Sequence, residues 1–253
     1  MFDWNWVLLG LSAFLGGAVN SIAGGGTLLT FPSLLLVLNP VSANATSTTA
    51  LLPGSLAAAW GYRRQLSDAR QHLVRLWPSS LVGGLIGSLL VIKMPERVFA
   101  MLVPWLLMIA STLLLVQKPL SRWIGAHPHE KPKTGTVAAI AFFQLLVGIY
   151  GGYFGAGIGI MMLSALAFMG IPNLHQMNGV KNLLAVSING ITIVIFLMAG
   201  VIVWKYAAVM AGCAVAGGDL GARAAQKMPV AVVRAIVVVI GFGVAIYSWT
   251  SHK

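Results

Sequence analysis

Ten apolar segments, separated by short polar or glycine-rich breaks, govern what this chain can become. They run at about Trp4–Ile22, Thr27–Leu38, Ala45–Tyr62, Leu76–Ile92 and Val98–Val116, then at about Val137–Tyr150, Ile158–Ile171, Asn182–Val203, Tyr206–Ala222 and Val230–Trp249. As helices, the longer ones match a hydrocarbon core of roughly 30 Å. Only 8% of the 253 residues are charged, against roughly 25% in soluble domains. So few charges cannot cover a surface facing water. The pattern predicts an all-α polytopic membrane protein whose solvent is lipid.

The net charge of +11 would suggest nucleic acid in a soluble domain. Here the basic residues fall mainly between apolar runs, without the interleaved aromatics of a nucleic-acid-binding face, and that partner is excluded. The single cysteine, Cys213, allows no internal disulfide and no multi-cysteine metal site. Asp3 precedes the first apolar run with no basic residue ahead of it. This is a poor signal peptide, and the segment is read as a mature helix with Trp4 and Trp6 at the interface.

The second five segments resemble the first five. "GGLIGSLLVIKMP" (Gly83–Pro95) aligns with "GGDLGARAAQKMP" (Gly217–Pro229) at an offset of 134, which also pairs Asn44 with Asn178 and Pro53 with Ser187. Near the glycines the offset is 131, pairing Gly24–Gly26 with Gly155–Gly157. Five segments per repeat is odd, so the second repeat is expected to be inverted. Loop charges agree. With the N-terminal side called A, eleven basic residues collect on side B and four on side A, Lys181 being left out. Side B is then cytoplasmic, and both termini are periplasmic. The expected organisation is a first transmembrane repeat at 1–116, a cytoplasmic linker at 117–135, and a second, inverted repeat at 136–253.

Within this frame "VNSIAGGGTLLTF" (Val19–Phe31) stands out, since each glycine costs a helix interior roughly 0.8–1 kcal/mol relative to alanine. The segment that follows, Thr27–Leu38, has 12 residues, about 18 Å as a helix, too short to cross. Its counterpart after Gly155–Gly159 is also short. Short, glycine-interrupted segments at matching places in two inverted halves point to a transporter's binding site. Each break starts a helix near Thr27 or Ile158, where free N–H groups and the positive dipole end favour an anion. Close packing accounts for Gly83, Gly87, Gly217 and Gly221 at small-xxx-small spacings.

Polar side chains gather at two further places. "NATSTTALLPGS" holds Asn44, Thr46, Ser47, Thr48 and Thr49, and "NGVKNLLAVSIN" holds Asn178, Lys181, Asn182, Ser187 and Asn189. Hydroxyls and amides can replace an oxyanion's hydration without adding negative charge. The hydroxyl cluster also suits helix capping and interhelical hydrogen bonds. Lys181 is either an intramembrane charge set toward an anion or a side chain that snorkels to water from near a helix end. Asp219 and Arg223, at i, i+4, are read as a structural pair. His127, His129 and His175 are read as loop residues, and no metal site is expected. With no HExxH, GxSxG or dinucleotide fingerprint, no enzyme chemistry and no cofactor are expected.

The glycine break before "TLLTFP", then "ANATSTTALLPGSLAAAWGYRR", then "GGLIGSLLVIKMP", with a repeated second half, resembles the TauE/SafE sulfite-exporter family, also called the toluene-sulfonate uptake permease family. The resemblance spans nearly the whole chain. It implies a bacterial inner-membrane protein tied to movement of sulfite, sulfonates and other sulfur-containing organic anions. The expectation is then a secondary transporter, exporting such an anion by rocking one repeat against the other. Backbone N–H groups of Gly24, Gly25, Gly26 and Thr27, and of Gly155–Gly159 (Gly155 and Gly157 among them), would cradle the anion. Asn44, Thr46, Thr48, Asn178 and Asn182 would hydrogen-bond it, and Lys181 would supply the charge. A passive anion channel and a non-transporting scaffold are the alternatives. Partners are a small anion and the lipid bilayer, with a homo-oligomer left open.

Overall fold

The computed structural model describes residues 4–22, 25–61, 66–126, 134–169, 171, 174–224 and 230–251. Gly24, His127 and His129 lie outside them, as do the side chains of His175, Asp219 and Arg223 and the surroundings of Gly221. Ten helices and no strand are found among the described residues: α1 Trp4–Ile22, α2 Thr27–Leu35, α3 Pro40–Gly61, α4 Leu66–Lys93, α5 Glu96–Ala126, α6 Thr134–Tyr153, α7 Ile158–Phe168, α8 Leu174–Met198, α9 Trp204–Ala224 and α10 Val230–Ser251. Arg70–Lys93, Glu96–Val116 and Gln176–Met198 are long and apolar enough to cross a membrane, and Val137–Tyr153, Ile158–Phe168 and Val237–Tyr247 are shorter apolar stretches. Large apolar side chains face outward, among them Trp105, Phe142, Met198 and Val239. In a bilayer these meet acyl chains at no cost.

Helix ends depart from the apolar limits in a systematic way. α4 begins at Leu66 rather than near Leu76, and α5 runs on to Ala126, into the segment expected as linker. Hydropathy marks where lipid ends. Polar residues with good helix propensity, such as Arg70, Gln71, Gln117 and Arg122, carry the helix past that limit.

Lipid offers no hydrophobic force between helices, so close backbone approach must hold them together. α1 lies along α9, and α4 along α6. At both crossings glycine is required by space. A methyl on Gly17 would strike the Ala214 carbonyl, and one on Gly217 the Phe14 carbonyl. Likewise Gly87 faces the Ile149 carbonyl and Gly152 faces that of Gly84. α4 also packs on α8, α3 on both α8 and α9, and α5 on α10. Side-chain bonds add interhelical ties of about 0.6 kcal/mol each: Ser12 with Ser33 at 2.7 Å, Thr30 with Ser47 at 2.6 Å, and Gln144 Nε2 donating to Ser80 at 2.9 Å.

Candidate functional site

Two short helices give the site its shape. α2 has nine residues and α7 eleven, about 14 and 16 Å, so neither spans the hydrocarbon core alone. Each follows a turn that only glycine tolerates well, with positive φ at Gly25 (107°), Gly155 (80°) and Gly157 (79°). Gly26 and Gly157 occupy the N-cap positions, and neither helix has a side-chain cap. In α7 the first described backbone bond is from Ile160 N–H to the Gly157 carbonyl at 3.1 Å. The N–H groups of Gly157, Ile158 and Gly159 have no acceptor among the described residues. Orphan donors of this kind, at the positive end of a helix dipole, attract anions.

Both helix starts open onto one cavity of about 70 Å³. A water needs roughly 10–15 Å³ of such space, so the cavity admits a group of roughly five heavy atoms. Gly25 and Thr27 line it from α2 and its turn, and Gly155, Gly157, Ile158 and Gly159 from α7 and its turn. α1 adds Asn20, α3 adds Thr48, Leu51 and Ser55, and α8 adds Lys181, Asn182, Ala185 and Asn189. The α3 and α8 residues recur at helical spacing on one face of each helix. They also pair at 134 positions apart: Thr48 with Asn182, Leu51 with Ala185, and Ser55 with Asn189.

Lys181 is the only charged residue on this wall among the described residues. Its stem lies on Gly159, where an added Cβ would sit 3.3 Å from Cδ and 3.9 Å from Nζ. Glycine there makes room for the lysine against the first turn of α7. No acid or other side-chain partner of Lys181 is found among the described residues. Asn20 Nδ2 donates to Ser55 Oγ at 3.2 Å, and Ser55 Oγ donates to the Leu51 carbonyl at 3.2 Å.

The expected ligand residues divide. Gly25, Thr27, Thr48, Gly155, Gly157, Lys181 and Asn182 come together on the cavity wall. Asn44 and Asn178 lie four residues before Thr48 and Asn182, one helical turn outside it. The Asn44 amide donates to the Tyr153 carbonyl at 2.9 Å. Thr46 accepts from the Val203 N–H at 3.1 Å, and Gly26 is pressed against the Gly16 carbonyl. Asn20, Ser55 and Asn189 line the cavity but were outside the expected ligand set. Ser55 and Asn189 could have been found by carrying the 134-residue offset further along the two polar runs.

The wall therefore offers amide and hydroxyl donors, one ammonium, two uncapped helix starts and no carboxylate among the described residues. Chemically it can hold a small anion. Comparison with known proteins agrees in kind. The chain is 28% identical over 238 residues to a probable membrane transporter protein, ORF9, of Sinorhizobium sp, covering 93% of this chain and 89% of that one. It is 25% identical over 236 residues to a probable membrane transporter protein of Haemophilus influenzae, covering 90% and 88%. The probable membrane transporter protein YfcA of Escherichia coli K12 is 28% identical over 235 residues, covering 90% and 83%. No solved structure matches the chain. The model of the sulfite exporter TauE/SafE family matches residues 9–248, and the chain belongs to that family.

Proposed function

We propose that this membrane protein is a secondary transporter that carries small sulfur oxyanions, such as sulfite or a short sulfonate, outward across the bacterial inner membrane. The observation that carries the reading is the meeting of Lys181 with two uncapped helix N-termini on one cavity. A cation costs roughly 2.5–3.5 kcal/mol at a membrane helix centre. Its place against the α7 start is explained if an anion shares the cavity.

Inverted repeats support alternating access at this site. The packing pairs support a repeat: α1 on α9 mirrors α6 on α4, and α3 on α9 mirrors α8 on α4. Excess basic charge on the side B loops supports periplasmic termini. The size of the cavity favours sulfite or a one-carbon sulfonate over an aryl sulfonate.

Counterflow of labelled sulfite in proteoliposomes tests the reading, with sulfate, taurine and chloride as competitors. Saturable exchange inhibited by sulfonates but not by chloride is expected. A flux that fails to saturate and shows no counterflow would indicate a channel. Absence of flux for every anion would leave only a scaffold.

A further inference from the structure

We infer that Tyr150, which is not on the cavity wall, is a positioning residue that sets the site's preference for an anion by fixing one peptide plane. This rests on the carrier reading above and deepens it by naming what makes the second glycine turn present donors. The lever is the peptide between Ala156 and Gly157. A peptide unit is planar and trans, so its C=O and N–H point opposite ways. Tyr150 donates its hydroxyl to the Ala156 carbonyl at 2.9 Å. The Gly157 N–H, in the same plane, is thereby turned away from Tyr150. No acceptor for it is found among the described residues. Gly157 lines the cavity with Ile158 and Gly159, and the stem of Lys181 lies against Gly159 on that wall.

The turn is pinned on both sides of this plane. The Tyr150 carbonyl accepts from the Phe154 N–H at 2.9 Å and the Gly155 N–H at 3.2 Å. Asn44 of α3 donates to the Tyr153 carbonyl at 2.9 Å. Ala156 is fully buried. Without the hydroxyl its carbonyl would be a buried orphan, which a chain avoids by finding another partner. Rotating the plane by half a turn takes Gly157 from φ 79° to negative φ, which glycine adopts as readily. The same rotation exchanges the free N–H for a C=O. A carbonyl in that place repels an anion and accepts from a donor.

The first break has the other setting. At the 131 offset Tyr150 matches Val19, which has no hydroxyl, and Gly157 matches Gly26. Gly26 has φ −54°, against 79° at Gly157. At this position the tyrosine hydroxyl and the positive φ occur together in one half and are both missing from the other.

Methanesulfonate and methanesulfonamide are the probes. They have the same number of heavy atoms and nearly the same shape, but the second is neutral and carries N–H donors. Calorimetric titration of the purified protein near neutral pH gives both affinities, and their ratio is the readout. Tyr150→Phe keeps the ring and loses the hydroxyl. Methanesulfonate affinity should fall about tenfold or more, as expected when one hydrogen bond to a charged group is lost, while methanesulfonamide holds or gains. Gly157→Ala reaches the same plane by another route, because a side chain disfavours positive φ. Its Cβ would meet nothing closer than Leu113 at 3.5 Å. It should lower the ratio to a similar extent, and the double variant should be no worse than either single one. A merely structural role would lower Tm and both affinities together. That result, or a ratio within twofold of the parent in either folded variant, overturns the assignment of Tyr150 and leaves the carrier standing. A parent protein that binds neither methanesulfonate nor sulfite overturns both.

Discussion

The turn before α2 and the turn before α7 solve one problem with glycines put to different use. Before α2, Gly26 lets the chain press on α1 at the Gly16 carbonyl, and Thr30 ties the new helix to Ser47 of α3. After the second break, Gly159 in the first turn of α7 meets a side chain instead. It faces the stem of Lys181. Position by position, Lys181 corresponds to Ser47 at the 134 offset, and Ser47 is buried in a bond to Thr30. One break is thus fastened into the protein, while the other sits against the Lys181 cation at the cavity. Two similar backbones need not share labour equally. The second half places the charge on the cavity wall, and the first ties its turn to α1 and α3.

The sharpest test of that division is Lys181→Gln. Removing one member of a buried charge pair costs about 2–5 kcal/mol, so methanesulfonate affinity should fall at least about 30-fold. Thermal stability in detergent should hold or rise, since an unpaired cation is lost. Affinity within twofold of the parent would erase the distinction between the two turns.

Next comes a paired substitution that separates fastening from binding. Gly26→Ala should lower stability by roughly 1–3 kcal/mol through overpacking against α1, seen as a lower Tm, with near-normal affinity in the protein that folds. Gly159→Ala should leave Tm almost unchanged but weaken binding about tenfold as Lys181 is displaced. The opposite outcome would break the comparison. Smaller effects are expected from Thr48→Val and Asn182→Ala, each removing one hydrogen bond to a charged ligand. A loss of roughly tenfold apiece, similar at both positions, would show the two halves sharing the polar contacts evenly. Ser55→Ala should change affinity by no more than about threefold, because the hydroxyl already donates to Leu51.

Much of this was legible in the letters. Glycine runs mark helix starts because few other residues take the required backbone, and α2 and α7 begin at Thr27 and Ile158 as the sequence implies. Lys181 was visible as a cation in an oily run. What could not be read was which polar residues share the cavity's depth. Asn44 and Asn178 occupy the right helix face one turn away, and a helical period gives direction but not height. Asn20 escaped notice because a single amide at the end of an apolar helix resembles an ordinary terminus. Its role depends on α3 bringing Ser55 alongside. The ends of the α4 and α5 helices were not legible either, because polarity ends a membrane span without ending a helix.

The crossings held by glycine have a mechanical consequence. α9, from late in the chain, is locked to α1, while α4, from early in the chain, is locked to α6. The covalent halves are plaited. Pulling 1–116 away from 136–253 would have to part Gly17 from Ala214 and Gly87 from Ile149, two close backbone seams. Grouped by these seams, α1, α2, α3 and α9 pack together on one hand, and α4, α6, α7 and α8 on the other. Each borrows one helix from the other half of the gene product.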